Sequence, residues 1–414
     1  MIVNFFLFLY LLGILPKLLF DRAWRGKRHP GFLQRLGFSI PANPLQLPVI
    51  WIHAVSVGEV KAAQPLFREL YKKNPKAFFL ITTTTATGRA EALRSLPEAN
   101  AFAYLPLDFS WVVNRFVRYL RPQLFILIES DFWPNLLKAI KKQGGKVVLV
   151  SGKLSERSAH RFKQFSFLSK KLFSYFDLIC VQNQEHLLRF LPLISDPSRI
   201  HISGNLKLDI QPQAVDLSFW KNKFQIPENS PVITISCTHA PEEELLLDAL
   251  EGGEWLIFLA PRHPERFEEV AQLLQKRNIP FLRWSKFDRP VIKEKVLLID
   301  SMGKLPICYA MSRLSIVAGS FIPTIGGHNI LEPCLYGTPV FFGPHMFSQS
   351  EFVSRALEAG AGLQVSSENL CKAVHLFFED SLYEKKMRIA ATELCQRIGG
   401  STARTFELIQ SSAL

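Results

Sequence analysis

Residues 318–345 read A-G-S-F-I-P-T-I-G-G-H-N-I-L-E-P-C-L-Y-G-T-P-V-F-F-G-P-H. The apolar run Leu314 to Ala318 predicts a strand that enters a glycine-rich turn. Gly326, Gly327, His328 and Asn329 then form a small polar cluster. A helix carrying Glu332 in its first turns follows, and a second strand runs from Pro339 to Phe342. Glycine lets backbone approach a ligand closely, and the amides at a helix N-terminus favour a phosphate. A carboxylate one turn further on can accept hydrogen bonds from a ribose diol. Strand, turn, helix and acid together predict a nucleotide-sugar site. The same residues also suit a tight turn in an α/β domain with an incidental acid.

Working outward, short apolar runs alternate with amphipathic stretches from Val49 onward. Strands are predicted at 49–53, 77–82, 101–105, 123–128, 146–150 and 177–181, with helices at 59–73, 111–120, 132–143 and 158–174. A polar, proline-containing stretch, Ile210 to Asp216, reads as an interdomain linker. A second series follows, with strands near 231–236, 254–260, 295–299, 314–318 and 338–342. Continuous apolar strands separated by helices indicate parallel sheets covered on both faces. The expected architecture is two open Rossmann-like α/β domains facing a cleft at their strand C-termini. The predicted divisions are a hydrophobic helix at 1–20, a first domain at 21–209, a second at 218–390, and a C-terminal helix at 391–414 that returns to the first.

At 414 residues the chain is long enough for two cores, and 48% apolar residues exclude a disordered protein. The six cysteines (Cys180, Cys237, Cys308, Cys334, Cys371, Cys395) show no C-x-x-C pair and no metal-like spacing, which suits reduced thiols. Charge is unevenly placed. Residues 1–210 hold 29 Lys/Arg against 13 Asp/Glu, a net of +16, whereas residues 211–414 hold 20 against 23, a net of −3. A basic first half suggests an anionic partner, either nucleic acid or an anionic membrane or lipid.

The N-terminus separates these partners. Met1 to Pro16 carries no charged side chain, and Lys17 precedes Leu18, Leu19 and Phe20. As a helix this run would extend about 24–30 Å at roughly 1.5 Å per residue, close to the ~30 Å hydrocarbon thickness. It has neither the basic start nor the A-x-A site of a signal peptide. Arg22, Trp24, Arg25, Lys27 and Arg28 follow at once. By the positive-inside rule that flank, and the rest of the chain, stays cytoplasmic beside an anionic leaflet. The expected partner is therefore the membrane, not nucleic acid.

Candidate chemistry clusters where strands end. His53 to Glu59 reads H-A-V-S-V-G-E, placing Glu59 at a helix start, either as a general base or as a first-turn acid that complements the helix dipole. Ile128 to Asn135 reads I-E-S-D-F-W-P-N, placing Glu129 and Asp131 at the same rim or as helix caps. Lys207 in G-N-L-K-L-D can neutralise a departing phosphate, or is a solvated linker charge. In the second half, Ser236 to His239 precedes Glu242 and Glu243. Pro261, Arg262 and His263 end another strand, and Met302, Gly303 and Lys304 open a helix. Arg262 suits phosphate or carboxylate recognition. No D-x-D pair is present to hold a metal-bridged diphosphate, so Arg, Lys and helix amides must stabilise a leaving phosphate. No G-x-G-x-x-G follows a first strand and no G-x-S-x-G elbow occurs, which argues against a dinucleotide oxidoreductase and an α/β-hydrolase.

On H-A-V-S-V-G-E (53–59), I-E-S-D-F-W-P-N (128–135), G-N-L-K-L-D (204–209), A-P-R-H-P-E-R-F (260–267), S-M-G-K (301–304) and G-G-H-N-I-L-E-P (326–333), the chain resembles bacterial 3-deoxy-D-manno-octulosonic acid (Kdo) transferases. The motifs occur in order along nearly the whole chain. The resemblance implies a GT-B fold and inverting transfer of Kdo from CMP-Kdo to a lipid A precursor (lipid IVA), without metal or other cofactor, at the cytoplasmic face of the inner membrane. It implies that Glu59 is the base and that Glu129 and Lys207 assist the transition state. Pro261, Arg262, Met302, Gly303, Lys304, Asn329, Ile330, Leu331 and Glu332 would hold CMP. Two positions depart from the family pattern: Lys304 stands where relatives often carry an acid, and Gln34 to Gly37 replaces an acidic-Arg-aromatic-Gly sequence. Three rivals remain at this level: a nucleotide-sugar epimerase of the same shape, a UDP-sugar-dependent glycolipid transferase, and a basic membrane-surface module without chemistry.

Overall fold

Every side chain of Val49–His53 is buried, so this strand needs apolar cover on both faces. Its alternation supplies two separate layers. Trp51 packs with Phe116, Phe125 and Leu127 on one side of the sheet. Ile50 and Ile52 pack with Phe67, Phe79 and Ile126 on the other. Each such fully buried large apolar side chain contributes roughly 1.5–3 kcal/mol. The computed structural model describes Asn4, Phe8 and residues 31–227, 230–286, 294–397 and 399–412. The predicted hydrophobic helix at 1–20 lies outside these residues apart from Asn4 and Phe8. Among the described residues no helix is long and apolar enough to cross a membrane.

The chain divides into two compact units, one of Met1–Ile210 with Gly399–Leu414 and one of Gln211–Ile398. The first sheet contains β1 (Val49–His53), β2 (Phe78–Thr83), β3 (Ala101–Tyr104), β4 (Pro122–Ile128), β5 (Lys146–Gly152), β6 (Leu178–Val181) and β7 (Ile200–Ile202). All pair in parallel, in the order β3-β2-β1-β4-β5-β6-β7. The order reverses between β1 and β4, where His53 registers with Leu127. In such open sheets a crevice forms beyond the strand C-termini at the reversal.

The second sheet contains β8 (Val232–Thr238), β9 (Leu256–Pro261), β10 (Phe281–Arg283), β11 (Val296–Leu298), β12 (Leu314–Val317), β13 (Val340–Phe342) and β14 (Gly362–Gln364). It too is parallel, in the order β10-β11-β9-β8-β12-β13-β14, with its reversal between β8 and β12. The helix predicted at 158–174 is two helices, Glu156–Gln164 and Ser166–Phe173, which meet at Phe165. The predicted division at 390/391 falls inside the helix Ser381–Arg397, which belongs to the second unit. The helix Ser401–Ser412 belongs to the first unit, with Ile409 fully buried in the same layer as Ile50 and Val60.

Candidate active site

The reversal of the first sheet gathers its charged groups. β1 ends at His53, and the helix Val57–Lys73 begins four residues later with Glu59 in its first turn. The Val55 N–H donates to Glu59 Oε2 at 2.8 Å, and the Ser56 hydroxyl stands 3.4 Å from Oε1. Ser56 and Glu59 thus have capping-box spacing, but Ser56 makes no side-chain cap bond and Glu59 binds one residue further back than in that motif. Burial pushes the Glu59 carboxyl up to about 7, against the Val55 amide; nearby Glu129 pushes the same way, and Lys207 and Lys153 oppose it.

Glu129 follows β4 at φ 66° and is buried. Lys207 Nζ lies 2.5 Å from its Oε1, and Lys153 Nζ lies 2.5 Å from its Oε2. Oε1 has no aligned hydrogen bond, so the Lys207 contact acts as a close charge pair. Burial raises the Glu129 carboxyl, but Lys207 and Lys153 override it and hold the group below its ordinary value. Two neighbouring acids are thereby driven apart, one toward neutrality and one toward full ionisation. Such divergence marks distinct acid–base roles.

Lys207 is held through its backbone. It lies in a short turn, Leu206–Asp209, whose Lys207 N–H donates to Asn205 Oδ1 at 3.0 Å. The Leu206 N–H donates to Ser151 Oγ at 3.3 Å, tying the turn to the end of β5. The C-terminal helix fixes it from the other side. Thr405 Oγ1 donates to Ser203 Oγ at 2.8 Å, Arg404 Nε donates to Ser203 O at 3.0 Å, and the Thr402 N–H donates to Asp209. Gly204 lies between these contacts at φ 100°, where a Cβ would stand 2.3 Å from Ser401 Oγ.

In the second unit, Pro261 is buried at the end of β9, while Arg262 and His263 are exposed beside it. The Arg262 N–H donates to Thr238 O at 3.1 Å, joining the ends of β9 and β8. Met302 is exposed, Gly303 has φ 76°, and Lys304 precedes the helix Leu305–Met311 with its Nζ 5.7 Å from the Trp284 ring centre. The glycine-rich segment 318–345 folds differently from expectation. Its helix is a single turn, Leu331–Cys334, and Asn329 Oδ1 accepts the Leu331 N–H at 3.0 Å. Ile330 and Leu331 are buried, and the Leu331 N–H is already taken by Asn329. Gly326 and Gly327, at φ 88° and 84°, make room for the chain itself: a Cβ would meet Phe347 at 2.4 Å and Met346 Sδ at 2.2 Å respectively.

The structure therefore brings Glu59, Glu129 and Lys207 together. Asp131 has other partners: its Oδ2 accepts the Trp133 indole N–H at 3.0 Å and lies 3.5 Å from His53 Nε2. Gln34 Oε1 accepts the Tyr104 N–H at 3.0 Å. Sequence reading missed Lys153, whose one visible signal was a cation immediately after a strand. It also gave no role to Glu242, a fully buried acid that accepts amides from Gly319, Phe321 and His239 at 2.8, 3.0 and 3.2 Å.

Comparison with known proteins bears on this geometry. The family described as 3-Deoxy-D-manno-octulosonic-acid transferase (kdotransferase) matches residues 30–210. A 3-deoxy-D-manno-octulosonic acid transferase of Chlamydia muridarum (strain MoPn / Nigg) is 32% identical over 412 residues, covering 98% of this chain and 96% of its own. The protein of that description from Haemophilus influenzae (strain ATCC 51907 / DSM 11121 / KW20 / Rd) is 31% identical over 401 residues, covering 92% of each chain. The solved UDP-GlcNAc 2-epimerase of Neisseria meningitidis, bound to UDP-GlcNAc, superposes with a TM-score of 0.60 at 16% identity, over 88% of this chain and 100% of its own. That likeness concerns the fold, two parallel seven-stranded sheets of GT-B-like α/β type. By sequence, the chain belongs to the 3-deoxy-D-manno-octulosonic acid transferase family of glycosyltransferases.

Proposed function

We propose that the protein transfers Kdo from CMP-Kdo to a lipid A precursor, lipid IVA, as an inverting, metal-independent step of lipopolysaccharide biosynthesis. The observation that carries this reading is the Glu59 carboxyl, held at about 7 beside the Glu129 carboxylate and its two lysines. A general base works best when its proton affinity matches the working pH. Glu59 removes the proton of an acceptor hydroxyl as that oxygen bonds to the anomeric carbon of Kdo. The bond from that carbon to the CMP phosphate oxygen breaks, and its electron pair leaves with CMP. Glu129 holds Lys207 in place, and the excess cation of the cluster offsets the charge that develops on the phosphate. Pro261, Arg262, Met302 to Lys304 and Asn329 to Glu332 hold CMP.

The acceptor is an acylated, phosphorylated lipid, which accounts for the basic first half and its apolar N-terminus. Residues 1–20 anchor the chain in the inner membrane, with both domains on the cytoplasmic side. Surface chemistry supports a lipid contact. Phe165, Phe167 and Leu168 are exposed where two helices meet, and Arg157, Arg161, Lys163, Lys170 and Lys171 flank them without an intervening acid. Aromatic tips with flanking cations suit an anionic interface. The test is to incubate purified protein with CMP-Kdo and lipid IVA and weigh the lipid. A gain of Kdo mass is expected; unaltered lipid beside intact CMP-Kdo would remove the reading. Conversion of a nucleotide sugar without lipid would point to an epimerase, and stronger competition by UDP than by CMP would point to a UDP-sugar transferase.

A further inference from the structure

At the reversal of the second sheet, Ser236 of β8 registers with Val317 of β12, so the loops after both strands leave from the same level. They bring two histidines together. His239 Nε2 and His328 Nε2 are 2.8 Å apart, with the rings nearly parallel at 8° and their centres 5.1 Å apart. The His263 ring centre is 5.3 Å from that of His239. The arrangement is built from below. Glu242 accepts amides from both loops, at His239 on one and at Gly319 and Phe321 on the other. Gly319, at φ 72°, leaves the space that His328 fills, since a Cβ there would be 2.7 Å from the ring. Thr238 Oγ1, one residue before His239, is buried without a hydrogen-bond partner.

The surroundings are cationic. Arg262 is a charge neighbour of both imidazoles and has no ion-pair partner among the described residues. Of the nearby acids, Glu242 is engaged by its three amides and Glu243 by Arg266 at 2.6 and 3.2 Å, while Glu332 lies with Arg262 close to Cys237. Glu265 lies 4.0 Å from His263. Among the described residues no third His, Cys, Asp or Glu completes a metal site around the pair. Burial, followed by Arg262 and the other histidines, lowers His328 to about 4, and burial lowers His239 as well. Near neutrality each ring therefore carries one N–H and no charge.

We propose that His239, His328 and Arg262 form a subsite for the carboxylate of the donor sugar. This rests on the reading that the donor is CMP-Kdo, whose sugar is a 2-keto acid. Without donor, one imidazole donates to the other. A carboxylate that breaks this contact and parts the two rings receives an N–H from each Nε2, because either ring can carry its single proton there, and Arg262 supplies the permanent charge. A neutral sugar leaves the imidazoles bonded to each other and brings no charge to Arg262, so the subsite selects for a sugar acid.

The test compares the binding of CMP and of CMP-Kdo to full-length wild type, His328→Asn and His239→Asn. The expected result is CMP affinity within two-fold of wild type in both variants, with CMP-Kdo bound at least ten-fold more weakly, a loss of about 1.4 kcal/mol. Retained CMP binding also reports that each variant is folded. Unchanged CMP-Kdo affinity would overturn the proposal. So would an equal loss for both ligands, which would assign the histidines to the phosphate or to structure. Wild type that binds CMP but not CMP-Kdo would instead remove the donor assignment, and the subsite with it.

Discussion

The Lys207 ammonium stands 2.5 Å from Oε1 of Glu129, whose side chain is only 6% exposed. With Lys153 on the other oxygen, this carboxylate is a scaffold for two cations and a poor proton acceptor. Glu59 has no direct lysine contact among the described residues and keeps its proton until about pH 7. The proposed function accordingly gives proton removal to Glu59 and charge placement to Glu129.

Glu59→Gln should leave CMP affinity nearly unchanged while Kdo transfer falls by about 10²–10⁴-fold, the usual worth of a positioned base. Turnover near that of wild type would strip Glu59 of the role. With Glu59 as the proposed base the ionised form is the active one, so the wild-type rate should climb as pH rises through about 7 and then level off. The variant's residual rate should lack that limb.

The same shift has a stability consequence. Glu59 holds its proton to about 7 when folded but releases it near 4.5 when unfolded. Between those values the native state binds more protons, so stability falls as pH rises. Urea midpoints of wild type and Glu59→Gln should diverge across this window, with wild type losing more; parallel curves would contradict the buried-acid assignment.

Lys207→Ala should depress turnover more than it weakens donor binding, because the role proposed for the ammonium is to offset charge that grows during the reaction. Measuring kcat alongside CMP competition separates the two. A defect confined to affinity would reassign Lys207 to ground-state binding.

Arg262→Ala should weaken CMP competition at least ten-fold, as expected on losing a charge-assisted contact to the phosphate. Unchanged competition would refute its place in the donor site.

Gly204→Ala should cost about 1–3 kcal/mol, since it strains a left-handed position and drives a methyl group into Ser401. Turnover should fall with it, because the adjacent turn carries Lys207. Gly144 is the control. Its φ is 81° but a Cβ there meets nothing within 4 Å, so Gly144→Ala should cost less and leave turnover intact.

How far the sequence led depended on burial. The inner strands, β1, β4 and β5 among them, are apolar runs covered on both faces, and each reading fell within two residues of its observed start. The strands at Ile200–Ile202, Phe281–Arg283 and Gly362–Gln364 escaped it. Each is a three-residue edge strand, too short for a period and open on one side. Glu59, Glu129 and Lys207 were legible because each follows a recognisable strand or motif. Lys153 and the His239–His328 contact were not. Only strand pairing brings Lys153 to Glu129, through β4 and β5, or one imidazole to the other, through β8 and β12, and no local spacing encodes it. Glycines 326 and 327 misled for a related reason: a close approach is visible in sequence, but what approaches is not.

The clasp of the last helix on the turn after Ser203 imposes an order in time. Thr402 and Thr405 lie 193 and 202 positions beyond their partners Asp209 and Ser203. On the ribosome, the front lobe's sheet is complete long before these threonines are synthesised. In a nascent chain the turn that carries Lys207 is thus held by Asn205, Ser151 and Glu129 without the clasp until residues 402–405 are made.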